Sequence, residues 1–325
     1  MIIKDRVYGT FDIQDEVLLE LIASKPVLRL KGINQAGASQ YVLPKLISRY
    51  EHSLGVMLLL RFLKAPLEEQ IAGLLHDVPH TAFSHVIDFV FENKDHEFHE
   101  KFHEGIIKNS EIPDILKKYN FDLSRILDEK NFPILERKLP DLCADRIDYS
   151  LRDRLGMGDN NIKNIKSYIN SLRVFNNEII FSDKNLALDF AKDFLEMDYK
   201  YWSHPMEIAL FQVLADAIKV ALKEKIISQD DLFTDDNFVY NKLKESGHKE
   251  VISYLEKLNP KFEIISDSEN YDFYAKNKLR FVDPKFIIDE DRLKRVSEEF
   301  PTFKEELQKH ADWVNKGHFI KIVTY

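Results

Sequence analysis

The apolar run Ile71-Ala-Gly-Leu-Leu75 closes on His76-Asp77, and Pro79 follows two residues later. Proline has no N–H and disfavours helical geometry at Val78, so a helix over 67–76 must turn at once. Two side chains able to bind a metal are thereby left at its open end. A second helix is predicted over 48–63, where His52, Val56, Leu59, Leu60 and Leu63 recur at helical spacing and Pro66 follows as a stop.

A lone histidine on an apolar helix face is ordinarily a hydrogen-bonded core residue, and a His-Asp pair recurs by chance. The joint pattern is stronger. His52, His76 and Asp77, with Asp145 on a later helix, place polar groups beside apolar runs where leaving them unpaired is costly. Imidazole and carboxylate together suit a divalent transition metal such as Fe, Mn, Zn, Ni or Co. Four protein ligands leave open positions on a six-coordinate ion, which acidifies water and polarises phosphorus. Cys143 is the sole thiol, so a thiolate-type structural zinc site is excluded. The set points to a metal-dependent phosphohydrolase.

Composition narrows the setting. No apolar run approaches the roughly 20 residues that span a bilayer; Val56-Met-Leu-Leu-Leu60 stops at Arg61. Met1-Ile-Ile-Lys-Asp-Arg lacks a basic-then-apolar signal layout, and one cysteine fits a reducing compartment, so a cytoplasmic location is expected. A net charge of −9 argues against broad nucleic-acid binding but leaves a small anionic substrate open, because a metal and a few arginines reverse the field locally.

With 10 Gly and 11 Pro in 325 residues, breakers are sparse and the chain reads as mainly α. Further helices are expected over 15–23, 84–92, 96–109, 136–155, 185–224 (interrupted at Pro205) and 232–258, with a loop over 32–39. From about residue 262 the character changes: 262–265, 279–282 and 319–324 are strand-like. The layout expected is a helical bundle over 1–225 and a small helical and α+β appendage over 226–325.

Two more groups carry chemistry. His80 and His85 flank Thr81-Ala-Phe-Ser84, and His96, His99 and His103 follow at helical spacing. They form either a solvated polar face or a shell that holds phosphate and protonates a leaving group. Arg146, Tyr149 and Asp153 recur at i, i+3 and i+7 and share a face beside Asp145. That face is either a set of surface ion pairs or a cation, a ring and a carboxylate for a phosphorylated sugar.

These residues resemble the HD-domain phosphohydrolase superfamily, and within it the deoxynucleoside triphosphate triphosphohydrolase branch that includes the sterile-alpha-motif/HD-domain protein. The similarity runs through Asp5-Arg-Val-Tyr-Gly9, Leu28-Arg-Leu-Lys-Gly-Ile-Asn-Gln35, Arg49-Tyr-Glu-His-Ser-Leu-Gly55, His76-Asp-Val-Pro-His-Thr-Ala-Phe-Ser-His85, His99-Glu100, Asp145 to Asp153 and Lys278-Leu-Arg-Phe-Val-Asp-Pro284. The resemblance implies an HD-domain helical bundle with His52, His76, Asp77 and Asp145 as metal ligands. It assigns His80, His85 and His99 to the phosphates and to proton transfer. Arg49 and Arg146 take phosphate-facing positions, Tyr149 and Asp153 hold the deoxyribose, and Gln35 lies beside the sugar. It also implies a nucleotide substrate and a homo-oligomer, and additional Mg is a further cofactor to test for.

Pro79 and Ala82 stand where the family motif usually has glycine and proline. Phe194 falls where triphosphohydrolases tend to have a phosphate-binding arginine, and Trp202 near a base-contacting tyrosine. Phenylalanine cannot supply bidentate hydrogen bonds to phosphate. A different ester, such as a nucleoside monophosphate, is therefore the rival to release of triphosphate, with a non-catalytic nucleotide sensor behind both. Ala23 and Leu28 occupy places where guanine-activated members carry acidic and polar residues, so activation by that route is not expected.

Overall fold

The architecture is that of a computed structural model, and it describes residues 1–43, 47–91, 105–158, 162–289 and 292–323. The helix Arg49–Phe62 begins at a capping box, in which the Ser48 hydroxyl accepts from the Glu51 amide and the Glu51 carboxylate accepts from the Ser48 amide. The helix Leu67–Leu75 packs back along it, close enough that a Cβ on Gly73 would lie 2.5 Å from Leu60 Cδ1. The helix Ala144–Gly156 crosses the first at Gly55, where a Cβ would lie 2.0 Å from Arg152 Nη2 and 2.1 Å from Asp148 Oδ1. At Gly55, where the atoms met belong to two fully buried charged side chains, packing this close requires glycine.

The chain is mainly α with a small α+β part towards its C-terminus. Two apolar clusters form its interior. One joins the helices Glu16–Ala23, Arg49–Phe62, Leu67–Leu75, Ala144–Gly156 and Lys184–Met197 to a four-stranded sheet. The other gathers around Pro205–Lys223 and Lys249–Lys257. The turn after His76 is shared between them, with Val78 in the first cluster and Phe83 and Val86 in the second. Burial on both sides holds the turn that carries the histidines.

The strands are short. Ile2–Asp5 pairs antiparallel with Gly9–Asp12. The four-stranded sheet runs in the order Leu172–Phe175, Glu178–Phe181, Lys285–Asp289, Arg292–Arg295, with its middle pair parallel. In the three-stranded sheet His318–Ile322 lies between Ile264–Ser266 and Phe273–Ala275.

Several expected elements differ. The helix expected over 136–155 starts only at Ala144, because Pro140 interrupts it: it has no N–H to donate and disfavours helical geometry at Leu139. Residues 279–282 form no strand; none of the described residues runs alongside to pair with them, and the strand begins at Lys285. The stretch 232–258 is two helices, Asp236–Glu245 and Lys249–Lys257, separated at Gly247 with φ +63°. The helix expected over 84–92 is confined to Val86–Val90. Of the expected helix 96–109, only 105–109 lies within the described residues.

Candidate active site

Three helices deliver the metal-type side chains. His52 sits one turn inside Arg49–Phe62, and His76 caps the C-terminus of Leu67–Leu75 with Asp77 next to it. Asp145 lies in the first turn of Ala144–Gly156, where the helix dipole favours an anion. His52 Nε2 is 2.9 Å from Asp145 Oδ1 and 3.9 Å from Asp77 Oδ2. His76 Nδ1 donates to the Gly73 carbonyl at 2.8 Å, which leaves its lone pair on Nε2. That nitrogen is buried without a hydrogen bond, 3.5 Å from Asp77 Oδ1 and 3.6 Å from Asp145 Oδ1. Ligand atoms of His52, His76 and Asp77 all lie within 4.8 Å of one another. An orphaned imidazole nitrogen facing two carboxylates is costly on its own and is a natural donor set for a divalent transition ion.

Electrostatics point the same way. Burial alone would lower His52, but hydrogen bonds to Asp145 and Asp148 and the charge of Asp77 outweigh it and raise its pKa to about 10. His76 is raised as well, since Asp77 and Asp145 overcome its burial. Burial would raise Asp77, yet Arg49, His76 and His80 hold it well below the carboxylate range. The same carboxylates that favour a positive charge on these imidazoles would favour a bound cation in its place, and imidazole ligates only in its neutral form.

Arg49 links Asp77 to the turn beyond it, donating to Asp77 Oδ2 through Nη1 and to Ser84 Oγ through Nε, each at 2.7 Å. His80 Nε2 lies 3.3 Å from Asp77 Oδ1, and its ring meets His85 edge-on at 5.1 Å. His85 Nδ1 lies 3.2 Å from buried Asp88. Burial lowers the His85 pKa, with Arg49 and Arg280 adding to the effect and Asp88 opposing it. Phe83 and Ser84 adopt left-handed backbone (φ 61° and 53°), an uncommon conformation for side-chain-bearing residues. Arg29 donates to the carbonyls of Val78 and His80, and the Ala82 amide donates to the Leu232 carbonyl at 2.8 Å. A proline at position 82 could not make that last bond. His99, like His96 and His103, lies outside the described residues.

A cavity of about 1010 Å³ opens from this cluster. Gln35, Arg49, His80, His85, Arg146, Tyr149, Asp153 and Trp202 all line it. Trp202 Nε1 donates to Asp153 at 2.9 Å, and its ring meets Tyr149 edge-on at 5.1 Å. Burial pushes the Asp153 carboxyl up to about 6. The Arg146 guanidinium donates to the Asp141 carbonyl, Cys143 Sγ and Glu136, so its cation is already partly engaged. Gln35 Oε1 is buried without a hydrogen bond. Trp202 closes a π-helical turn, Asp198–Trp202, pinned where Asp198 meets His310 Nε2 at 2.7 Å and the Ser203 hydroxyl at 2.8 Å. Such turns cluster at functional sites.

Sequence reasoning missed two sets of residues. Asp148 lies 2.7 Å from His52 Nδ1 and is gripped by Arg152 through two hydrogen bonds; its i, i+4 spacing to Arg152 was the available signal. Lys130, Arg137, Lys138, Lys278 and Arg280 bring further cations to the cavity wall from two irregular segments. Phe194, in contrast, is 1% exposed and packs behind Tyr149 and Trp202, away from that wall.

The HD-domain family model matches residues 49–153. Protein YdhJ of Bacillus subtilis is 42% identical, with 99% of each chain covered. The metal-dependent phosphohydrolase cns2 of Cordyceps militaris is 30% identical over 87% of this chain and 84% of that one. A deoxynucleoside triphosphate triphosphohydrolase SAMHD1 homolog of Dictyostelium discoideum is 24% identical over 90% of this chain and 62% of its own length.

Proposed function

The chain belongs to the HD-domain superfamily of metal-dependent phosphohydrolases, and from that premise we propose that it hydrolyses nucleotides, releasing triphosphate from a deoxynucleoside triphosphate. The observation that carries this reading is the cavity. It joins the His52, His76, Asp77 and Asp145 cluster to the cations of 130–138 and 278–280 and to the Tyr149, Trp202 and Asp153 corner. A tetra-anionic substrate needs such added positive charge, and it comes from these segments instead of from position 194. The Dictyostelium relative lends support by its named activity.

His52, His76, Asp77 and Asp145 would hold a divalent ion, which when bound supplies Lewis-acid chemistry to water and the phosphoryl group. Arg49 keeps the Asp77 carboxylate ionised and oriented, and Asp148, at 2.7 Å from Nδ1, orients the His52 ring so that Nε2 faces the other ligands. His85, with Nδ1 held by Asp88, is placed to pass a proton to the departing oxygen, with His80 between it and Asp77. Lys130, Lys138, Lys278 and Arg280 offset charge along the phosphates, while Trp202 orients Asp153 towards a sugar hydroxyl.

Purified protein loaded in turn with Mn, Fe, Co, Ni and Zn should be incubated with deoxynucleoside tri-, di- and monophosphates and the products separated. Inorganic triphosphate is expected from a deoxynucleoside triphosphate. Orthophosphate from a monophosphate would replace this substrate with the rival ester, and full hydrolysis by metal-free His76→Ala/Asp77→Ala protein would sink the metal-dependent reading.

A further inference from the structure

Asp236, the first residue of the helix Asp236–Glu245, is 3% exposed and lies outside the residues matched to the family. Its carboxylate accepts three hydrogen bonds. The Phe83 amide reaches Oδ1 at 2.7 Å, while the Asn34 amide and Gln40 Nε2 each reach Oδ2 at 2.9 Å. The first bond grips the turn at the first of its two left-handed residues, midway between His80 and His85. Non-glycine residues in that region are strained and persist only where their surroundings hold them.

The second bond begins a relay. The Asn34 carbonyl accepts from Ser84 Oγ at 2.6 Å, Ser84 Oγ accepts from Arg49 Nε, and Arg49 Nη1 donates to Asp77 Oδ2. One buried carboxylate thus braces both the turn that carries His80 and His85 and the arginine that orients Asp77. We infer that Asp236 is a positioning residue for the proposed hydrolysis, acting from behind through the Phe83 amide and through the Asn34–Ser84–Arg49 relay. The inference rests on the functional reading above for its kinetic consequence, but its effect on Asp77 is measurable without turnover.

Asparagine at 236 keeps the shape but turns one acceptor oxygen into a donor facing N–H groups. Asp236→Asn is therefore expected to lower kcat at least about tenfold while moving KM far less, and to weaken Mn²⁺ affinity, measured by calorimetry, by about tenfold. Ser84→Ala breaks the relay nearer Asp77 and should shift both quantities in the same direction. It also stands alone if the 236 variant does not fold. When both fold, the double variant should lose less than the product of the single losses, since the two act on one relay. Unchanged Mn²⁺ affinity and kcat in both variants, or multiplicative losses in the double variant, would overturn the inference. A wild-type protein inactive on every nucleotide would overturn the substrate reading alone, leaving Mn²⁺ affinity to decide the role of Asp236.

Discussion

His52 Nδ1 lies 2.7 Å from Asp148 Oδ2, and Arg152 grips that same carboxylate through Nε and Nη2 at 2.9 and 2.8 Å. The pair fixes which ring nitrogen of His52 faces Asp145. Asp148→Asn should therefore weaken divalent-metal affinity by about 10–100-fold, the usual cost of losing the partner that orients a metal-binding histidine. Metal titration of purified variant and wild type checks this, and equal affinities would remove Asp148 from the site.

Gly55 predicts a stability effect at the same spot. An added Cβ would overlap Arg152 and Asp148, both of them fully buried, so neither can swing aside into solvent. Gly55→Ala should cost about 1–3 kcal/mol, as overpacked cores do, and denaturant melts read it directly. A variant as stable as wild type would mean that the two helices separate freely.

Metal binding should also appear as stabilisation. A divalent ion that binds the folded chain and not the unfolded one raises the melting temperature with concentration. Adding Mn²⁺ to chelator-treated wild type is expected to raise it, and His76→Ala should abolish most of that rise. An identical rise in the variant would place the ion elsewhere.

Removing a cation from the cavity wall separates the substrate classes. Arg280→Ala is expected to raise KM for a deoxynucleoside triphosphate about tenfold or more, the equivalent of one charge-assisted contact. The effect on a nucleoside monophosphate should be smaller. Equal effects would argue that Arg280 does not meet the outer phosphates.

Glu207 gives a pH dependence of stability. Burial pushes its carboxyl up to about 8, with the charge of Asp153 adding and a hydrogen bond from Ser39 and the charge of Arg280 opposing. In the unfolded chain it titrates near about 4.3. The folded state therefore binds this proton more tightly, so the contribution is fully present below about pH 4.3 and is lost as pH rises through about 8. Glu207→Gln, neutral throughout, should gain stability relative to wild type between pH 5 and pH 9. Urea melts at both ends of that range decide, and a difference that stays flat counts against it.

What could be read from the chain depended on how local its cause was. The helices bearing His52 and His76, and the stop beyond Asp77, follow from apolar spacing and from Pro66 and Pro79, which act within a turn of themselves. The segment before Ala144 was misread although its cause is equally local: Pro140 has no N–H with which to continue a helix. Lys130, Lys138, Lys278 and Arg280 share a wall only because the fold brings two irregular segments together, and no spacing announces that. The hairpin Leu172–Phe181 was legible and missed: Asn176 and Asn177 both take positive φ, the signature of a tight two-residue turn. Phe194 stands where the resemblance expects a phosphate-binding arginine, and the fold buries it against Tyr149 and Trp202.

The Phe83 amide and the Asp236 carboxylate are 153 residues apart in sequence. Chain order therefore matters to when the centre can exist. All four metal-type residues have been synthesised by position 145, but the brace behind the histidine turn has not. A growing chain carries these four side chains long before Asp236 can meet the Phe83 amide. On the proposed role of Asp236, full order at the histidine turn waits until the last third of the chain has emerged and folded back.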